Sequence, residues 1–272
     1  MRLELSPLLH NQLTSQRAGL IPIIPAMTFT LVDVLAALAA LLVGLSKGGI
    51  PAIGMVAVPV LALVMSPVKA AVLLLPIYVM SDWVGVWLYR RSYSAANLKI
   101  LIPAGIVGVL VGWLTASQVP DKALSFMIGA VGVGFCLNVW LRRDGGQPPQ
   151  PPSVAKGWFW GTLAGLTSFI SHAGAPPFQV YMLPQKLPKA AFAGTATIVF
   201  AVINAAKIWP YQQLQPYSAA SLWTAAKLVP FALVGTVLGA YLTKRMADAW
   251  FFRAVQISLF AVSLKVMADA VL

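Results

Sequence analysis

Acidic side chains are scarce in this sequence: seven Asp and Glu in 272 residues, against nineteen Lys and Arg. Charged residues of both signs make up only 10% of the chain, where a soluble domain carries about 25%. So few charges cannot cover a water-facing surface, which excludes an ordinary soluble protein. Cysteine is reduced to Cys136, so no intrachain disulfide can form. Two histidines beside that one thiol leave no ligand cluster for a metal. No cofactor is expected. A phosphate-binding G-x-x-x-x-G-K-[ST] loop is lacking, which excludes nucleotide hydrolysis by this chain as the energy source. The net charge of +12 does not indicate nucleic acid, because the basic residues flank apolar runs instead of forming one patch. Residues 1–28 carry Arg2 and Arg17 without a compact apolar core and cleavage site, so no cleaved signal peptide is expected.

What fills the chain is apolar sequence: 59% hydrophobic residues and a mean hydropathy of +0.82. The expectation is an all-α polytopic membrane protein, with the lipid bilayer as its surroundings. Apolar runs occupy 29–45, 52–66, 70–89, 100–119 and 123–141, then 157–170, 176–187, 190–209, 219–241 and 249–269. Between the two sets lies Asp144-Gly-Gly-Gln-Pro-Pro-Gln-Pro-Pro-Ser153, a stiff polar linker. The organisation read from this is an N-terminal extension at 1–28, a first membrane repeat at 29–143, a linker at 144–156 and a second repeat at 157–272.

Two interruptions stand out. Gly44-Leu45-Ser46-Lys47-Gly48-Gly49-Ile50-Pro51 returns 125 positions later as Phe169-Ile170-Ser171-His172-Ala173-Gly174-Ala175-Pro176. Each has a serine, a basic residue, two small residues and a proline five places after the serine, with Pro59 or Pro184 a further eight residues on. The rest duplicates too. Tyr93-Ser94-Ala95-Ala96 matches Tyr217-Ser218-Ala219-Ala220, Trp87 and Tyr89 match Trp209 and Tyr211, and Pro103, Gly108 and Gly112 match Pro230, Gly235 and Gly239. Asp82 falls opposite Asn204.

Lys and Arg collect on cytoplasmic loops. In the first half Arg90, Arg91 and Lys99 fill the loop after residue 89, and Arg142, Arg143 and Lys156 flank the linker; loop 117–122 has only Lys122. In the second half the bias reverses, with none near 210–218 and Lys244 and Arg245 in the later loop. This predicts two inverted repeats, each a broken helix pair plus three transmembrane helices. The arms of the breaks, 12 to 17 residues long, reach only about 18–25 Å of a hydrocarbon core of about 30 Å. Re-entrant hairpins are favoured, with tilted full crossings left open.

A chain reversal inside a bilayer survives only where protein or a water-filled cavity surrounds it, and paired breaks in two repeats point to a transport site. A helix starting after each break would offer amide N–H groups to an anion. Ser46, Lys47, Gly48 and Gly49 are therefore the expected binding residues of the first break, and Ser171, His172, Ala173 and Gly174 those of the second. Asp82 is read equally as a coupling carboxylate or a packing group, with Asn204 as its non-titrating counterpart. Lys227 is expected either to line the anion path or to snorkel. Lys207, beside Trp209, is expected to snorkel to the interface. Ser171 and His172 make a poor nucleophile–base pair, because adjacent helical residues point in different directions, so enzymatic function is not expected.

The stretch Gly44-Leu45-Ser46-Lys47-Gly48-Gly49 with Pro51 and Pro59 resembles the sulfite exporter family, TauE/SafE. So does Ser171-His172-Ala173-Gly174-Ala175-Pro176-Pro177 with Gly194-Thr195. The resemblance runs from about residue 30 over nearly the whole chain. It implies a permease of the bacterial inner membrane for a small anion such as sulfite or an organosulfonate, working by alternating access. A passive anion channel on the same scaffold is the alternative, and a homodimer is compatible with either.

Overall fold

A computed structural model describes residues 30–115, 121–141 and 148–271. The N-terminal extension with Arg2 and Arg17, residues 116–120, and residues 142–147 with Arg142, Arg143 and the start of the linker lie outside the described residues. Val32–Leu272 forms one compact unit. The described residues are all-helical: α1 (Leu31–Lys47), a 3₁₀ turn (Pro51–Val56), α2 (Ala57–Ala62), α3 (Pro67–Tyr89), α4 (Ala95–Thr115) and α5 (Asp121–Leu141) in the first half. The second half has α6 (Val154–Ser171), α7 (Ala175–Met182), a 3₁₀ turn (Leu183–Gln185), α8 (Lys189–Leu214), α9 (Ala219–Arg245) and α10 (Asp248–Val271). Five of these, in α3, α4, α8, α9 and α10, are long and apolar enough to cross a membrane by length and composition.

Local chemistry sets the boundaries. Ser66 and Ser153 accept hydrogen bonds from the backbone N–H groups of Lys69 and Lys156, capping α3 and α6. Pro67 occupies the first turn of α3, where a missing N–H costs nothing. Ser218 and Ser221 form a capping box at the start of α9. His172 ends α6 in the left-handed conformation, with φ 54°. Gly49 ends the first break with φ 130°, a backbone conformation that a side chain would strain.

Both breaks reverse the chain. In the second, Gly174 abuts Ala164 and Ser168 of α6, and the Tyr181 hydroxyl of α7 donates to the Ser153 carbonyl at 3.3 Å. Entry and exit of this hairpin therefore lie side by side, and Gln150 N–H also reaches the Pro184 carbonyl. In the first, Gly54 abuts Ser46, and α2 shares a buried apolar cluster with Ala36, Ala39, Ala40 and Val43 of α1.

The halves exchange partners. α1 runs parallel to α9, with Gly235 against Leu41, Gly44 against Ala232 and Thr236, and Gly48 against Ala240. α6 runs parallel to α4, with Gly161 against Ala104, Gly108 against Leu166 and Gly112 against Phe169. Each hairpin thus leans on a long helix of the opposite half, at a spacing that only small residues permit. Helices in corresponding positions of the two halves run antiparallel. In α3 and α8, Asp82 meets Asn204, Gly85 meets Thr197, and Tyr89 meets Gly194. In α5 and α10, Gly129 meets Met267 and Gly132 meets Ser263.

Candidate functional site

The tips of the two hairpins face one small cavity. It is lined by Ser46, Lys47, Pro51 and Gly54 of the first break, His172 and Ala175 of the second, Ser168 of α6, Tyr78 of α3, and Ala196, Thr197, Phe200 and Asn204 of α8. Its volume is about 30 Å³. Since one water needs roughly 10–15 Å³, that is room for about two.

The basic residues of the breaks, Lys47 and His172, are both buried here. Tyr78 lies between them: the Lys47 Nζ sits 5.0 Å from its ring centroid, and the His172 ring stacks on it at 4.8 Å. Lys47 forms an ion pair with Asp82 Oδ1 at 2.7 Å. Asn204 donates to the other oxygen, Oδ2, at 2.8 Å. The repeat alignment places Asp82 opposite Asn204, and in the structure these two matched positions meet.

Lys207 occupies a different place from the one its neighbour Trp209 suggests. It is fully buried, and its Nζ donates to the Ser168 carbonyl and hydroxyl, both at 3.1 Å, and lies 2.8 Å from His172 Nδ1. Trp209 is exposed. Residues two apart on a helix lie about 200° around the axis, so an outward Trp209 turns Lys207 inward. Asn204 and Lys207, three apart, share a face, and that spacing was the signal for it. Ser168, Tyr78 and Thr197 complete the site and carry no sequence mark of their own.

Lys227 is not brought to the cavity. It is exposed on α9, over the ring of the exposed Trp223 at 5.7 Å, the arrangement of the snorkelling alternative. Ser171 lies outside the lining, its hydroxyl directed at the Thr167 carbonyl at 3.5 Å.

The amide cradle expected at each tip has few N–H groups to draw on. The arm after the first break begins with Pro51, and α7 opens Ala175-Pro176-Pro177, so these turns have few N–H groups to offer. Gly48, Gly49, His172 and Ala173 spend theirs on carbonyls of α1 and α6. A Cβ on Gly48 would meet backbone of Gly239 and Ala240, and one on Gly174 would meet Ala164 and Phe200. The small residues therefore serve close packing, and the polar lining of the cavity comes from side chains. Each tip is tied down: the Gly48 carbonyl accepts from Tyr89 at 2.5 Å and from Thr243 at 3.0 Å. On the other tip His172 Nε2 reaches the Ala71 carbonyl at 3.1 Å.

The sequence profile of the family described as Sulfite exporter TauE/SafE matches residues 36–266. That span takes in both hairpins and every helix that lines the cavity. No curated protein and no solved structure matches the chain significantly. The chain belongs to the TauE/SafE sulfite exporter family, and it is a membrane transporter.

Proposed function

We propose that this TauE/SafE member is a secondary transporter of a small oxyanion, sulfite or an organosulfonate, which binds in the cavity between the two hairpin tips. The observation that carries this reading is that basic residues from both breaks, Lys47 and His172, border one buried polar cavity. Asp82 acts there as the counter-ion that keeps Lys47 at the tip. The two tips are held by separate bonds, Tyr89 and Thr243 on Gly48, Ala71 and Lys207 on His172. Releasing one set at a time opens the cavity to one side only, as alternating access requires. The antiparallel pairing of α3 with α8 and of α5 with α10 supports an inverted arrangement of the repeats.

Two measurements test this. Protein in liposomes is expected to show saturable uptake of labelled sulfite and counterflow against an unlabelled pool; large unitary currents would instead make it a channel. Thr197→Trp, which fills the cavity, should stop the flux. The second test is topological. Hydrogen bonds tie Asn97 to Gln185 and Lys189 to the α9–α10 corner, gathering Arg90, Arg91, Lys99, Lys186, Lys244 and Arg245 towards one end. We place that end in the cytoplasm of a bacterial cell, at its inner membrane. A reporter after residue 145 should then be cytoplasmic and one at residue 214 periplasmic. Both on one side would end the inverted reading.

A further inference from the structure

The cavity is charged unevenly. Among the side chains whose burial is described, Asp82 is the only buried carboxylate; Asp33, Asp248 and Asp269 are exposed. Two lysines are buried, Lys47 and Lys207. Lys47 takes Asp82 as its partner. Lys207 is held by three uncharged acceptors: the Ser168 carbonyl, the Ser168 hydroxyl and His172 Nδ1. These three partners match the three N–H bonds of an ammonium. His172 adds no charge. Its Nδ1 accepts from Lys207, and its Nε2 faces a carbonyl, which can only accept, so the ring proton sits on Nε2 and the imidazole is neutral. With Lys207 as an ammonium, the buried groups sum to one positive charge. Ser168 and His172, which hold that charge, both line the cavity.

We propose that the cavity selects a singly charged oxyanion, with Lys207 supplying the matching charge and so setting the valence of the substrate; this rests on reading the cavity as the transport site. A monoanion brings the buried charges to zero. A dianion of the same shape leaves one negative charge in excess, out of reach of water, where an unpaired charge is costly. Sulfonates and hydrogensulfite fit this rule, and sulfate does not.

The test is calorimetry on the full-length wild-type protein with methanesulfonate and with sulfate, whose charges are fixed across neutral pH. Methanesulfonate is expected to bind at least about a hundredfold tighter than sulfate. Lys207→Gln, in monodisperse protein, should weaken methanesulfonate by about the same factor. Asp82→Asn raises the buried charge by one and should swing the ratio towards sulfate. Should that variant not fold, the wild-type ratio and Lys207→Gln decide. Equal wild-type affinities for the two anions, or a Lys207→Gln variant that binds methanesulfonate as wild type does, would overturn the valence rule and leave the cavity as the site. Binding of neither anion, or binding that Thr197→Trp leaves intact, would overturn the site itself and the valence rule with it.

Discussion

Asp82→Ala is expected to destabilise the protein by about 3–5 kcal/mol, because it leaves the Lys47 ammonium buried without a counter-charge. Lys47 is only 4% exposed, and its Nζ has an aromatic face on two sides, Tyr78 and Phe200, so the few waters that fit beside it are a poor substitute for the lost carboxylate. Asn204 would also lose its acceptor. The double variant Lys47→Met/Asp82→Leu removes both charges and should return to within about 1 kcal/mol of wild type. That variant is expected to be folded and inactive in flux, which separates the electrostatic cost from the functional one. Unfolding of the three proteins in the same detergent, compared with sulfite counterflow, measures both. An Asp82→Ala protein as stable as wild type would show that the ion pair contributes nothing to the fold.

The second large effect is steric. A Cβ on Gly44 would lie 1.9 Å from the Ala232 carbonyl oxygen, which is backbone of α9 and cannot swing aside. Gly44→Val is therefore expected to force α1 off α9 at a cost of about 3 kcal/mol or more, seen as loss of monodisperse protein. Gly134 is the control. Nothing lies within 4 Å of the corresponding Cβ, so Gly134→Ala should be neutral or stabilising by about 0.5–1 kcal/mol. If Gly44→Val purifies and melts like Gly134→Ala, the close crossing of α1 and α9 is not what holds the first hairpin.

The sequence shows where the breaks are and that they are a pair, because Gly, Pro and a basic residue cannot hide inside apolar runs. It also shows that Asp82 and Asn204 correspond. The exchange of partners between halves was not readable, since small residues at helix spacing say that something packs closely without saying what. The site was legible only in part. Lys47 and His172 announce themselves by sitting in the breaks. Lys207 does not: its neighbour Trp209 marks a membrane interface, and only the opposite facing of residues two apart turns it inward. That the expected amide cradle has few donors was already visible, since Pro51, Pro176 and Pro177 have no N–H to give.

The exchanged packing also has a consequence in time. The Gly48 carbonyl at the first tip is bound by Thr243, which lies 195 positions further along the chain. At synthesis rates of about 5–20 residues per second, the first hairpin is made roughly 10–40 s before that partner exists. During that interval Lys47, whose counter-ion on α3 arrives early, can be neutralised, but α1 has no α9 to lie against. The ribosome-bound first half must therefore wait, with a bent and incompletely packed segment, for the second half to reach the membrane.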